Sequence, residues 1–369
     1  MNNQSRIAIL PGIVAVLNVA ILITVPIAPA EPPSSASIAQ VPLREGLTLV
    51  TASQQDRGDF EIIKTVTKVD AKAITVTVVS DEPTFCGEEV FGRDGTRPSI
   101  SRRAVLREDM ERARTVQFWF PSCLSEPQFN PGITAISVSA IVLRELKAEG
   151  RASLNIIGDD HITYAGVFTR IERHAVPFKV IFNDEPVELA AVHVRATSSQ
   201  VDKKRWSEYW LLDDVTNPLV LRKVSSSGQV GLDIVKLSFP SGERAARLER
   251  NLSEQGRTVV YGIYFDFASD RIKEESEPVL KEIADVLAKN PTWRLAVEGH
   301  TDNLGGTEAN LRLSQRRAAS VRKVLGERYT ISPTRLEPSG FGETKPKATN
   351  DTLEGRALNR RVELVRIGR

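Results

Sequence analysis

Two polar groups toward the C-terminal end of the chain carry side chains that could do chemistry. The first is Gly299-His300-Thr301-Asp302-Asn303; the second is Asn310-Leu311-Arg312-Leu313-Ser314-Gln315-Arg316-Arg317-Ala318. Asn310, Ser314 and Arg317 recur at a spacing of four and then three, which puts them on one face of a helix. Asp302 sits in a turn before that helix, just after a strand-like run over residues 294–298. An acid at a strand end and a base on the facing helix can flank one small cavity, and such a pair suits a zwitterion. The carboxylate takes an ammonium, and the guanidinium takes a carboxylate in a forked pair. On spacing alone a second reading is equally good: Asp302 caps its own turn and Arg317 merely pairs with it.

The elements that must position these residues follow from periodicity and turn chemistry. Residues 259–267 read as a strand. Residues 277–289 read as a helix with Val279, Ile283, Val286 and Leu287 on one face, Ser276 as N-cap and Pro278 in the first turn. Asn290-Pro291 ends it. The strand at 294–298 follows, then a helix from Asn310 with Leu313, Ala318, Val321 and Leu325 turned inward. Residues 335–339 and 362–367 supply two more strands, giving the order β-α-β-α-β-β with helices packed on a small mixed sheet. Gly340-Phe341-Gly342 lacks the third glycine and opening helix of a dinucleotide fingerprint, so it reads as a turn.

Phe265-Asp266-Phe267 before a helix, the two polar groups, Gly340-Phe341-Gly342, and Gly355-Arg356-Ala357-Leu358-Asn359-Arg360-Arg361-Val362-Glu363 resemble, in order and spacing, the OmpA-like C-terminal domain. The resemblance covers residues 257–369. It implies an α+β fold that binds peptidoglycan in a Gram-negative envelope, with no cofactor and no catalysis. Residue by residue, it implies that Asp302 reads the ammonium and Arg317 the carboxylate of diaminopimelate in the stem peptide. Asn310 and Arg360 match further binding positions; Thr301, Phe265 and Ala268 belong to segments that shape the rim. A cell-wall hydrolase is a rival reading, because Asp266, Glu298 and Asp302 all lie at strand ends and glycan cleavage needs two facing carboxylates.

The rest of the chain excludes more than it assigns. With 49 basic and 47 acidic residues the net charge is +2, so there is no polyelectrolyte drive toward nucleic acid. The four histidines (His161, His174, His193, His300) show no HExxH or His-x-His spacing, so no metal is expected, and His300 reads as a hydrogen-bonding turn residue. There is no P-loop, Gly-x-Ser-x-Gly or Ser-x-x-Lys.

Residues 1–30 hold an apolar run ending in Ala28-Pro29-Ala30 and read as a signal peptide cleaved before Glu31. The alternative is an uncleaved inner-membrane anchor of a wall-attached complex, the only membrane contact expected. Residues 7–30 lack the acidic residue that ion-driven anchors carry. Export makes Cys86 and Cys123, the two cysteines of the chain, one expected disulfide, the alternative being two buried thiols. Such a bridge would stabilise by roughly 3–4 kcal/mol.

Residues 31–42 are Pro/Ser-rich and read as an extended linker. Residues 43–240 carry mostly strand signals, among them 73–79, 116–120, 135–142, 178–182 and 187–194, with hairpins turning at Asn183-Asp184 and between 209–212 and 219–221. A helix is expected near residues 101–114. An antiparallel sandwich or open barrel follows, and we expect a periplasmic β-rich domain rather than a membrane barrel, because aromatics are 6% of residues and charges interrupt the strands. Its partner would be another envelope protein. Residues 241–256 form a connector with Ala245, Leu248 and Leu252 at helical spacing. The expected setting is the periplasm, attached to the wall, or the outer membrane.

Overall fold

The computed structural model describes residues 36–38, 41–55, 58–80, 84–86, 89–91, 99–118, 126–158, 162–198, 206–240 and 242–368. The leader read over residues 1–30 and Cys123 lie outside the described residues, as does the side chain of Cys86. No helix among the described residues is long and apolar enough to cross a membrane.

In chain order the longer elements are β1 (Thr48–Gln55), β2 (Gly58–Val69), β3 (Ala73–Ser80), β4 (Ser99–Leu106), α1 (Arg107–Arg112), α2 (Ala140–Glu149), β5 (Arg151–Ile157), β6 (Thr163–Arg170), β7 (Val176–Phe182), β8 (Glu185–Ser198), β9 (Trp206–Leu212), β10 (Val220–Ser225) and β11 (Val230–Ser238). They belong to a β-rich region built on one fifteen-stranded sheet. Antiparallel pairs run β8-β9-β10-β11-β1-β2-β3-β4, and β7 pairs with both β8 and β11, which closes five strands into a ring. The Asn183-Asp184 hairpin turn takes positive φ at both residues (48° and 67°), as a two-residue turn that follows strand twist requires.

The β1–β3 meander is apolar on both faces, which is why β3 reads as an unbroken β-branched run. Leu49, Ile62, Val66, Ile74, Val76 and Val78 enter the core of the β-rich region. Their neighbours Val50, Ala52, Ile63 and Val79 form a second cluster with Tyr264, Leu353 and Ala357.

Three expectations here are corrected. Residues 135–142 alternate like a strand, but from Ala140 the chain is α2, because Val142, Leu143 and Leu146 share a helical face and Gly150 caps it at φ 74°. Helix was expected near residues 101–114; the stretch up to Leu106 belongs to β4, its Arg103 buried and donating to Gln117 Oε1 (3.1 Å), and the helix is confined to α1. The stretch read as a linker ends inside the core: Val41 is fully buried, and Asn217 donates to its carbonyl (2.8 Å).

Then come α3 (Gly242–Glu254), β12 (Arg257–Val260), α4 (Glu277–Lys289), β13 (Arg294–His300), α5 (Thr307–Tyr329), β14 (Leu336–Gly342), α6 (Leu353–Asn359) and β15 (Val362–Ile367). The sheet order is β12-β15-β13-β14, with β13 and β14 parallel and the other pairs antiparallel. Leu252 of α3, Ile283 and Leu287 of α4, and Val321 and Leu325 of α5 pack with Leu295, Val297 and Leu364 into one core. The first strand stops at Val260 instead of running to 267, since the chain must leave the sheet for Tyr264 to reach the β-rich region. Ser276 precedes α4 but makes no cap bond; its hydroxyl serves Tyr264, accepting from N (2.8 Å) and donating to O (3.2 Å). Helix α5 starts at Thr307, before Asn310, and Gly340-Phe341-Gly342 lies within β14, not in a turn.

The β-rich and C-terminal regions meet in one compact unit, Ser35–Arg369. Phe60 stacks on Phe267 with centroids 4.6 Å apart. Asp184 Oδ1, at the tip of the β7–β8 hairpin, accepts from Tyr261 N (2.7 Å).

Candidate functional site

The site is set by how closely α5 lies on the sheet. A Cβ on Gly299 would sit 2.3 Å from Ser314 O, and one on Gly340 would sit 2.3 Å from Gln315 N, so only glycine admits the helix here. Ser314 pins it: its hydroxyl donates to Leu311 O (2.8 Å) and accepts from Gly342 N (2.9 Å). Asn310 and Arg317, about a turn to either side, then face the end of β13.

Thr301 and Asp302 follow directly on β13. Asp302 Oδ1 accepts from Leu304 N (3.0 Å), so its turn-capping role is present. Its Oδ2 accepts from Arg360 Nη1 (2.6 Å). Asn310 Nδ2 donates to Asp302 O (3.2 Å) and Glu343 Oε2 (2.7 Å). Opposite, Ala268 takes the left-handed conformation (φ 51°) in a turn that presents Ser269 O to Arg317 Nε (2.9 Å). The Arg317 guanidinium lies 4.8 Å from the Phe265 ring centre.

Phe265, Ala268, Thr301, Asp302, Asn310, Arg317 and Arg360 thus all line one cavity of about 400 Å³. Asp302 and Arg317 are not paired with each other. The base on Asp302 is Arg360, while Arg317, half-buried, makes no ion pair with a carboxylate among the described residues. Burial, then the nearby Arg360, lower its pKa to about 10, which leaves it charged at neutral pH. Thr301 Oγ1 is buried with no hydrogen-bond partner among the described residues. The cavity therefore offers a cation with no carboxylate at ion-pair distance among the described residues, an acid shared with a base, and a hydroxyl without a hydrogen-bond partner among them. A small ligand carrying both a carboxylate and an ammonium matches that set.

Sequence reasoning missed the part of the wall that comes from the β-rich region. Asp59 and Glu61 of β2 and Lys236 of β11 also line the cavity. Arg360 Nη2 donates to Glu61 Oε1 (2.7 Å) and its Nη1 to Asp59 Oδ2 (3.2 Å), while Lys236 Nζ lies 3.4 Å from Glu61. Burial by itself would raise the Glu61 carboxyl; Lys236 and Arg360 together outweigh it and hold it at about 2. The signal available in sequence was weak: two acids at alternate strand positions, and one lysine inside the apolar run from Ile234 to Leu237.

His300 is buried and stacked on Phe341, and burial, then Arg361, lower its pKa to about 4, so it stays neutral. With Glu298 and Glu363 it forms a cluster of ligand type, but Arg257, Arg361 and Lys347 already neutralise those carboxylates (3.8, 2.7 and 3.8 Å), which suits an ion-pair network and not a cation site. The carboxylates considered for hydrolysis are committed as well. Asp266 is held by Arg271 and Lys273, Glu298 does not line the cavity, and Asp302 is tied to Arg360.

The sequence pattern of the OmpA family matches residues 264–360. Outer membrane porin F of Pseudomonas aeruginosa is 45% identical over 101 residues, which are 27% of this chain and 29% of that protein. This chain therefore spans less than a third of the porin's length. Outer membrane protein A of Bordetella avium is 38% identical over 189 residues, 49% of this chain and 94% of the relative. Among solved structures, the cell wall anchor of the T6SS from Pseudomonas aeruginosa is 31% identical over 34% of this chain and 96% of that one, with a TM-score of 0.28.

Proposed function

The chain belongs to the OmpA family, and from that premise we propose that its C-terminal region binds peptidoglycan non-covalently and ties the protein to the cell wall. The family relationship supports wall anchoring and a place in the cell envelope in general terms. The finer reading is ours: the ligand is the diaminopimelate of a stem peptide, met in the periplasm. Its side-chain carboxylate goes to Arg317, and its ammonium to Asp302. Asn310 holds the Asp302 carbonyl, and Thr301 offers its spare hydroxyl.

The observation that carries this reading is the pairing pattern around one cavity. Arg317 lines it with no carboxylate at ion-pair distance among the described residues, while Asp302 lines the same cavity. Two charged hydrogen-bonded contacts contribute about 1.5–3 kcal/mol each before ordering costs. A single site is then micromolar to millimolar, and many copies on the wall add avidity.

The test is a pull-down with purified sacculi. Arg317→Ala and Asp302→Ala should each reduce bound protein strongly while the far-UV spectrum stays that of the wild type. Retention of full binding by both variants removes the assignment.

A further inference from the structure

The cavity is walled by two regions of the chain, and the charges they contribute are not independent. Arg360 alone is reached by Asp302 (2.6 Å), Glu61 (2.7 Å) and Asp59 (3.2 Å). Asp59 is also gripped by Arg356 through both oxygens (2.6 and 2.9 Å), and Glu61 by Lys236. Asp59 and Glu61 sit at alternate positions of β2, on the face that carries Ile63 toward Tyr264 and α6. All of these groups are largely removed from water, where charge interactions act at full strength.

Consider what an arriving ammonium meets. If Asp302 and Arg360 were a pair by themselves, the acid's charge would be cancelled, and the ammonium would have to displace a guanidinium. With Nε (3.2 Å) and Nη2 (2.7 Å) of the guanidinium donated to Glu61, Asp302 receives only Nη1 and keeps acceptor capacity for a further cation. Arg360 is meanwhile held back toward β2 and does not fold over Arg317.

We propose that the β-rich region is part of the ligand site: Glu61 and Asp59 are positioning residues that engage Arg360 and so leave Asp302 able to accept a ligand ammonium. This rests on the reading of the cavity as a diaminopimelate site. It makes the β2 carboxylates a determinant of preference for an amino acid over a plain diacid.

The experiment uses the full chain and two probes, meso-diaminopimelate and pimelate, which share carboxylates and differ in the ammonium groups. Affinities are measured by calorimetry or by competition against sacculi, with folding followed by thermal melting. Glu61→Gln should weaken diaminopimelate about tenfold and change pimelate by less than about twofold, narrowing the preference for the ammonium-bearing probe. Glu61→Asp, which keeps the charge, should restore most of that preference.

Three results overturn the proposal. Unchanged diaminopimelate affinity in Glu61→Gln means that Asp302 does not depend on β2. Tighter binding means that β2 closes the site instead of completing it. Equal loss for both probes means that Glu61 only supports the fold. Failure of the wild-type chain to bind diaminopimelate removes the parent reading and this one with it, whereas wild-type binding with an unaffected Glu61→Gln removes this one alone.

Discussion

Arg360 Nη1 donates to Asp302 Oδ2 at 2.6 Å, so the acid expected to face Arg317 is tied to a different base. Arg317 and Arg360, which both line the cavity, therefore do different jobs. Arg360 sits among three carboxylates, and Asp59 and Glu61 come from another part of the chain. Removing it leaves buried acids short of a cation, so Arg360→Ala should cost roughly 3–5 kcal/mol of unfolding free energy. Arg317→Ala loses one hydrogen bond and one ring contact, about 1–2 kcal/mol, and should lose wall binding instead. Denaturant unfolding of both variants separates the roles; equal stability losses would contradict the division.

The docking of the two regions can be tested at the Asp59–Arg356 pair, which is bidentate and nearly inaccessible to water. Asp59→Ala and Arg356→Ala should be non-additive, with a coupling energy of about 1–3 kcal/mol in a double-mutant cycle. Additive losses would mean that β2 and α6 do not meet in solution.

The C-terminal region was legible because its chemistry is local. Asn310, Ser314 and Arg317 share a helix face, and Thr301 and Asp302 directly follow the adjacent strand, so short-range spacing placed them together. The helix at 277–289 was legible for the same reason, through its apolar stripe and flanking proline. What spacing could not show is pairing over almost the whole chain, as between Glu61 and Arg360. Nor could short windows separate strand from helix at residues 135–142, where Ile136 and Val138 are buried ahead of the helix and Ala140 and Val142 inside α2. Gly340 misled for a different reason. Glycine marks turns and close approaches alike, and only the packed helix shows which one is meant.

That close approach gives a sharp stability test. A methyl on Gly340 meets backbone atoms of Gln315 that no rotamer change can move aside, so Gly340→Ala must push α5 off the sheet. The expected loss is about 1–3 kcal/mol, with weaker wall binding because Asn310 and Arg317 ride on the same helix. Gly306→Ala, at the N-cap of α5 with open space around it, is the control: it meets no clash and should cost less, under about 1 kcal/mol for the poorer cap residue. Similar melting temperatures for the two variants would mean that α5 does not pack as described.

His300 supplies the pH dependence. Burial and Arg361 bring its folded pKa to about 4, below the ordinary 6.5. Between those values the unfolded chain holds the proton and the folded chain does not, so stability falls as pH drops from 6.5 to 4 and levels off below. At about 1.4 kcal/mol per pKa unit the full loss is about 3 kcal/mol. Asp233 works against it: burial, only partly offset by Arg222, raises its carboxyl to about 6, so the folded state takes that proton first and gains stability as pH falls from 6 toward 3.8. The wild-type curve mixes both effects, and a variant isolates one. His300→Phe, which keeps an aromatic ring on Phe341, should have its stability advantage over wild type grow by roughly 2–3 kcal/mol between pH 7 and pH 4. A constant difference across that range, measured by denaturant unfolding at each pH, would show that the imidazole titrates alike in both states.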